Sequence, residues 1–215
     1  MAIHKQTVSD LLWDSLTKLM EFERLENFRL VGGTALSLHI GHRMSDDIDL
    51  FSDAEYGSID YLGILEKLKL EFPFVDHNKW FNKTIGNSCF IGDTPDQVVK
   101  LDLFSTDKFV YPIINIGNIR LSSIEEVIAM KLDVIGRGGR KKDFWDIHAL
   151  FEDFDLKAML KIYSKRYPYN FSHEELISKL VNFENADVDP DPNCLEGKYW
   201  ELIKYDFEEM VRDYR

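Results

Sequence analysis

Cysteine is nearly absent from this sequence: Cys89 and Cys194 are the only two among 215 residues. Two cysteines cannot build a disulfide framework, so a reducing, cytoplasmic setting is the expectation. Neither lies in a Cys-x-x-Cys pattern or beside a histidine, which argues against a thiol nucleophile. Long apolar runs are missing too, and none approaches the roughly 20 residues that a membrane helix needs. The opening MAIHKQTVSDLLWDSL lacks the basic-then-apolar order of a secretory signal. Positive charge is scarce: 26 lysines and arginines face 38 acids, for a net charge of −12. That balance excludes broad, nonspecific binding along a nucleic-acid backbone, while a local basic patch remains open. His39 and His42 lie three apart with no further ligand at zinc spacing, so a zinc site is not expected. There is no internal repeat and no low-complexity tract.

What is present suits a soluble globular chain: 45% hydrophobic and 30% charged residues, long enough to bury a sizeable core. From Val8 to Leu25, apolar residues at Leu11, Leu12, Leu16, Leu19 and Met20 recur at spacings of three and four. They predict an amphipathic helix with Ser9 as its cap. Phe28 to Val31 reads as a strand running into a Gly32–Gly33 turn, followed by a short helix from Thr34 to Ile40 closed by Gly41. Asp47 to Phe51 reads as a strand, Tyr61 to Leu70 as a helix, and Trp80 to Ile85 and Gln97 to Phe104 as further strands. Ser123 to Ile135 is a helix with a Ser123–Glu126 capping box and an apolar stripe of Ile124, Val127, Ile128, Leu132 and Ile135. A second helix runs from about Lys141 to Phe151, and the rest is helical apart from a loop at Asp187 to Asn193. Strands before residue 121 and helices after it predict an α+β fold, residues 1–121 forming the core and 122–215 a helical C-terminal part.

The chemistry concentrates between Leu30 and Ser52, LVGGTALSLHIGHRMSDDIDLFS. On a strand, Asp47 and Asp49 share one face while Ile48 and Leu50 point into the core. Aspartate is a poor strand former, and two on one face repel unless a cation lies between them. Paired carboxylates suit magnesium, which is usually held by one or two of them together with substrate phosphates. A solvated face on an acidic protein is the competing reading. Gly32, Gly33 and Thr34 open a helix whose N-terminal N–H groups attract phosphate. The helix carries the chain only about 10 Å, at ~1.5 Å per residue, so the aspartate strand can return beside the turn. Alternation along QVVKLDLF puts Lys100, Asp102 and Phe104 on the face opposite Val99, Leu101 and Leu103, making Asp102 a third candidate carboxylate. Lys131 flanks the apolar stripe of its helix, which predicts partial burial and an anionic partner such as a triphosphate. Arg137, Arg140, Lys141 and Lys142 gather four positive charges in six residues. Asp143 and Asp146 follow on one helix face; they either serve the site or complement the helix dipole.

Taken together, VGGTALSLHIGHRMSDDIDLF with Lys131, Arg137, Lys142, Asp143 and Asp146 resembles the AbiEii/AbiGii-type nucleotidyltransferases, toxins of bacterial toxin–antitoxin and abortive-infection systems. The glycine turn and paired aspartates are shared with the wider DNA polymerase β-like superfamily. The resemblance implies a minimal nucleotidyltransferase core, a mixed sheet flanked by helices, with a helical addition that completes the site. It implies Mg2+-dependent transfer of a nucleoside monophosphate from an NTP, with a tRNA 3′ end as acceptor in some members, and a cognate antitoxin. By that likeness Asp47 and Asp49 are the metal pair and Asp102 a third ligand or base. Gly32, Gly33, Thr34, Arg43, Lys131, Arg137 and Asp146 serve the nucleotide phosphates, and Lys131 and Asp143 the catalysis. A protein or small-molecule acceptor, or an inactive partner-binding domain, is the alternative.

Overall fold

The computed structural model describes residues 3–77 and 85–214. Helix α1, Asp10–Met20, starts at Ser9, whose hydroxyl accepts the Leu12 N–H at 3.1 Å, and buries Leu12, Leu16, Leu19 and Met20. The helix ends at Met20, and Glu23–Leu25 forms a separate 3-10 turn, so the predicted 8–25 segment is broken into two pieces. Strand β1 (Arg29–Leu30), helix α2 (Gly32–Ile40) and strand β2 (Asp47–Ser52) follow. Gly41 ends α2 in the left-handed region at φ +77°, as its position predicted. Helix α3 (Tyr61–Glu71) leads to β3 (Phe74–His77), β4 (Gly86–Thr94), β5 (Gln97–Ser105), β6 (Ile113–Ile116) and β7 (Ile119–Ser122). The strand expected at Trp80 to Ile85 falls on residues 80–84, outside the described residues, and its last member Ile85 is a bend.

Among the described residues these strands form one mixed seven-stranded sheet in the order β3-β4-β5-β2-β1-β7-β6. Only the β2–β5 and β1–β7 pairs are parallel. Helix α1 packs against β2, β4, β5 and β7. The later helices are α4 (Ile124–Gly136), α5 (Lys141–His148), α6 (Leu156–Arg166), α7 (His173–Leu180), α8 (Glu184–Asp187) and α9 (Trp200–Tyr214). Helix α4 joins the two parts, packing on α2 toward the sheet and on α5, α6 and α7. One contiguous set of buried apolar residues runs from Val8 to Val211.

The capping box expected at α4 is only half formed. The Ser123 hydroxyl accepts the Glu126 N–H at 3.4 Å, but the Glu126 carboxylate does not return to Ser123. It binds Arg166 of α6 at 2.6 Å and the Val110 and Tyr111 N–H groups at 3.1 and 2.9 Å. Arg166 also donates to the Thr106 hydroxyl and the Asp107 carbonyl. This buried pair ties the helical part to the segment between β5 and β6. Burial without partners would be costly, and here both Glu126 oxygens and two of the three Arg166 nitrogens find one.

Candidate active site

The in-register parallel pairing of β2 with β5 places Asp47 beside Lys100 and Asp49 beside Asp102. Ile48 and Leu50 on β2, and Leu101 and Leu103 on β5, are fully buried on the opposite face. The period-two alternation therefore forces the three aspartates and Lys100 onto the exposed side of the two central strands. They line a cleft of about 330 Å³ together with Val31, Gly32, Gly33, Arg43, Met130, Lys131, Lys142, Asp143 and Tyr167.

Helix α2 begins at Gly32, so the glycine pair is its first turn rather than a turn ahead of it. Gly32 has φ +68°, and a Cβ there would lie 2.7 Å from Asp49 Oδ2. A side chain at Gly33 would collide with the Arg43 guanidinium. Glycine is thus required twice by geometry: once for backbone sign, and both times for space. Thr34 faces inward instead: its hydroxyl donates to the Asp47 carbonyl and shares a 2.8 Å hydrogen bond with Ser45 Oγ. It anchors the start of β2 and does not line the cleft.

Behind the carboxylates lies a buried charge network. Asp146 of α5 is fully buried and accepts two hydrogen bonds from Arg43, at 2.6 and 2.9 Å, and one from His42 Nε2 at 2.8 Å. Lys131 Nζ lies 2.6 Å from both Asp143 Oδ1 and Asp146 Oδ2. Asp143 Oδ2 also accepts the Arg140 N–H at 3.0 Å, closing the first turn of α5. Burial pushes the Asp143 and Asp146 carboxyls up, but Lys131 with the Arg140 N–H together outweigh it at Asp143, and Lys131, Arg43 and His42 together at Asp146. Asp143 ends below the usual carboxylate range and Asp146 well below it. Burial lowers Lys131 and Arg43, yet their carboxylate partners raise both above their ordinary values. The anionic partner that a buried Lys131 demands is therefore supplied by the chain itself.

The open carboxylates behave differently. Burial, then the neighbouring Asp102, raises Asp49 to about 6. Lys100 lies 2.6 Å from Asp102 Oδ2 and Lys142 3.5 Å from Asp47. Burial lowers the Lys100 ammonium, and Asp102 more than restores it. Among the described residues, no three of His, Cys, Asp or Glu converge closely enough to hold a metal ion by themselves. Asp47 and Asp49 nevertheless fit a hard divalent ion. The donors are all oxygen, Gly32 leaves room against Asp49, and the raised Asp49 carboxyl marks a place where positive charge is lacking.

Of the remaining sequence candidates, Arg43 and Asp146 belong to the buried network, Arg43 also reaching the cleft wall. Arg137 is mostly exposed, bonds Asp133 at 2.8 Å and is absent from the cleft lining. The basic cluster disperses. Lys141 is buried, pairs with Asp191 at 2.9 Å and packs over Trp200, leaving Arg140 and Lys142 to face the cleft. His39 Nε2 donates to the Ser122 carbonyl at 2.8 Å, a structural contact. Burial raises Cys89 to about 12, which keeps that thiol inert. Lys100, Met130, Asp133 and Tyr167 were not singled out from the sequence. Lys100 alone carried a signal, its place in the Lys-x-Asp alternation.

Residues 15–213 match the family model described as nucleotidyl transferase AbiEii toxin, type IV TA system. An uncharacterized protein of Aquifex aeolicus is 28% identical over 217 residues, which cover 94% of each chain. Two solved structures share the fold. JHP933 from Helicobacter pylori aligns with a TM-score of 0.59 at 19% identity, over 94% of this chain and 87% of its own. MenT4, a nucleotidyltransferase toxin from Mycobacterium tuberculosis, aligns with a TM-score of 0.56 at 13% identity, over 94% and 83%.

Proposed function

This chain belongs to the AbiEii family of nucleotidyl transferase toxins of type IV toxin–antitoxin systems, and from that premise we propose that its cleft transfers a nucleoside monophosphate from an NTP to an RNA end. The observation that carries the reading is the set of three carboxylates on β2 and β5 facing the first turn of α2. Asp47 and Asp49 would hold Mg2+, which supplies charge neutralisation at the triphosphate when bound. Gly32 and Gly33 let the donor phosphates approach the N-terminal N–H groups of α2. Lys131, oriented by Asp143 and Asp146, presents its ammonium to the outer phosphates. Arg43 holds Asp146, and so Lys131, in place; Arg137 and Thr34 act at a distance from the reacting atoms. Met130, Val134 and Tyr167 offer the nucleoside an apolar surface.

In the chemical step the acceptor hydroxyl oxygen bonds to the α-phosphorus. The bond from that phosphorus to the bridging oxygen breaks, and pyrophosphate leaves with the electron pair. Asp102 takes the hydroxyl proton. Arg140 and Lys142 contact the acceptor, two cations being enough for a short tRNA 3′ end but not for a long backbone. The cytoplasm, where the buried Cys89 thiol stays reduced, is the proposed location, and an antitoxin of the same system the proposed partner. The test is incubation with each labelled NTP, Mg2+ and total cellular RNA or protein. Label in the RNA pool is expected, lost in both Asp47→Ala and Asp49→Ala while circular dichroism stays unchanged. Undiminished labelling in both variants rejects the site, and label confined to protein rejects the acceptor.

A further inference from the structure

The third carboxylate of the cleft is already engaged by a cation of the chain itself. Lys100 stands opposite Asp47 in the β2–β5 register, two residues before Asp102 and on the same face. Its ammonium lies 2.6 Å from Asp102 Oδ2. Strand β5 is central, flanked by β2 and β4, so this lysine does not guard an exposed sheet edge, where lysines are ordinarily placed against aggregation. Its side chain is 39% exposed and lines the cleft together with Lys131 and the first turn of α2. The other carboxylate oxygen, Asp102 Oδ1, is buried and has no hydrogen-bond partner among the described residues. A buried, unpartnered carboxylate oxygen costs free energy unless something at the site uses it.

Charge leads the same way. Before substrate arrives, Asp47, Asp49 and Asp102 with Lys100 and Lys142 sum to one negative charge, which a single divalent ion already exceeds. Lys100 holds Asp102 Oδ2 and so competes with a second ion for it. This agrees with the finding that, among the described residues, no three acidic or imidazole groups converge on one point.

We propose that Lys100 is a positioning residue that stands as a built-in cation among the three carboxylates. Asp47 and Asp49 then hold a single divalent ion with the donor phosphates, and Asp102 is held by Lys100 outside the ion's shell, where its Oδ2 is the oxygen that can take the acceptor hydroxyl's proton. The inference rests on the nucleotidyl-transfer reading of this cleft. It is tested by counting Mn2+ bound to the full-length chain by electron paramagnetic resonance, with the α,β-methylene analogue of each ribonucleoside triphosphate. One ion per chain is expected for the parent and for Lys100→Arg, and two for Lys100→Ala. Lys100→Ala should also lower kcat by about a hundredfold with little change in KM for the NTP, and Lys100→Arg should recover much of it. Two ions in the parent, or one in Lys100→Ala, overturn the role of Lys100. A parent that binds neither Mn2+ nor any analogue overturns the underlying nucleotidyl-transfer reading instead.

Discussion

At the scale of single residues, the two groups of carboxylates have opposite relations to stability. Asp143 and Asp146 lie below their ordinary values because Lys131 and Arg43 stabilise the charged form. Their contribution is fully present above the unfolded carboxylate value of about 3.9 and disappears only as pH falls through lower, folded values. Asp49, raised to about 6, does the reverse. Between about pH 6 and 4 the folded protein takes up a proton that the unfolded chain does not, so this carboxylate destabilises the metal-free protein at pH 7 and ceases to do so in acid. His39 and His148, lowered mainly by burial, work in the other direction over part of that range, so the parent alone does not isolate the effect. The comparison with Asp49→Asn does. In metal-free urea titrations at pH 7.5, Asp49→Asn should be more stable by roughly 1–2 kcal/mol, discounted for solvent reaching a half-buried side chain. The difference should fall to about half at pH 5 and approach zero only near pH 4. A constant or inverted difference contradicts the assignment. A functional residue that costs stability is a familiar trade-off.

Elements meet through a few buried charges rather than through apolar contact alone. Asp146 on α5 clamps Arg43 and His42, from the link between α2 and β2, and Lys131 from α4. Its loss leaves Arg43 and half of Lys131 buried without their anion. Asp146→Ala should therefore cost about 3–5 kcal/mol of stability, measured by urea denaturation. An exposed pair such as Lys5–Asp10 offers the contrast, since its removal should change stability by under about 1 kcal/mol. If Asp146→Ala is no more costly than the surface change, the network is not holding these elements together. Glu126 teaches a related lesson about legibility. The local pattern at Ser123 reads as a capping box, yet Arg166, forty residues away, outcompetes the local partner for the carboxylate. A hydrogen bond from a guanidinium to a carboxylate outweighs one from a neutral backbone N–H at the helix terminus.

For the whole molecule, net charge and its distribution decide what the cleft can take in. Of the basic run from Arg137 to Lys142, only Arg140 and Lys142 face the cleft. With about two phosphate contacts to a single strand, the slope of log affinity against log salt should be near −1.4. A filter-binding series with short RNA checks this, a slope steeper than about −4 pointing to a wider surface. Arg140→Glu should raise KM for RNA roughly tenfold and leave NTP binding within about twofold, because Arg140 is largely exposed and touches the network only through Asp143 at 3.6 Å.

Local periodicity by itself determined much of this protein. The alternation Asp-Ile-Asp-Leu and Lys-Leu-Asp-Leu assigned the faces of β2 and β5, since side chains on a strand must alternate. The apolar stripe of α4 and the glycine at each end of α2 marked helices at nearly their observed bounds. Neighbourhood across the chain could not be read that way. Strands β3, β6 and β7 are short and weakly patterned, and they exist because the sheet offers them partners. That Lys131 pairs with Asp143 and Asp146, whether Lys141 faced the cleft or Asp191, and whether Lys100 joined the carboxylates were decided by tertiary structure. The physical reason is that a charge seeks its best desolvated partner in space, and sequence spacing records only those partners that lie within a turn or a strand pair.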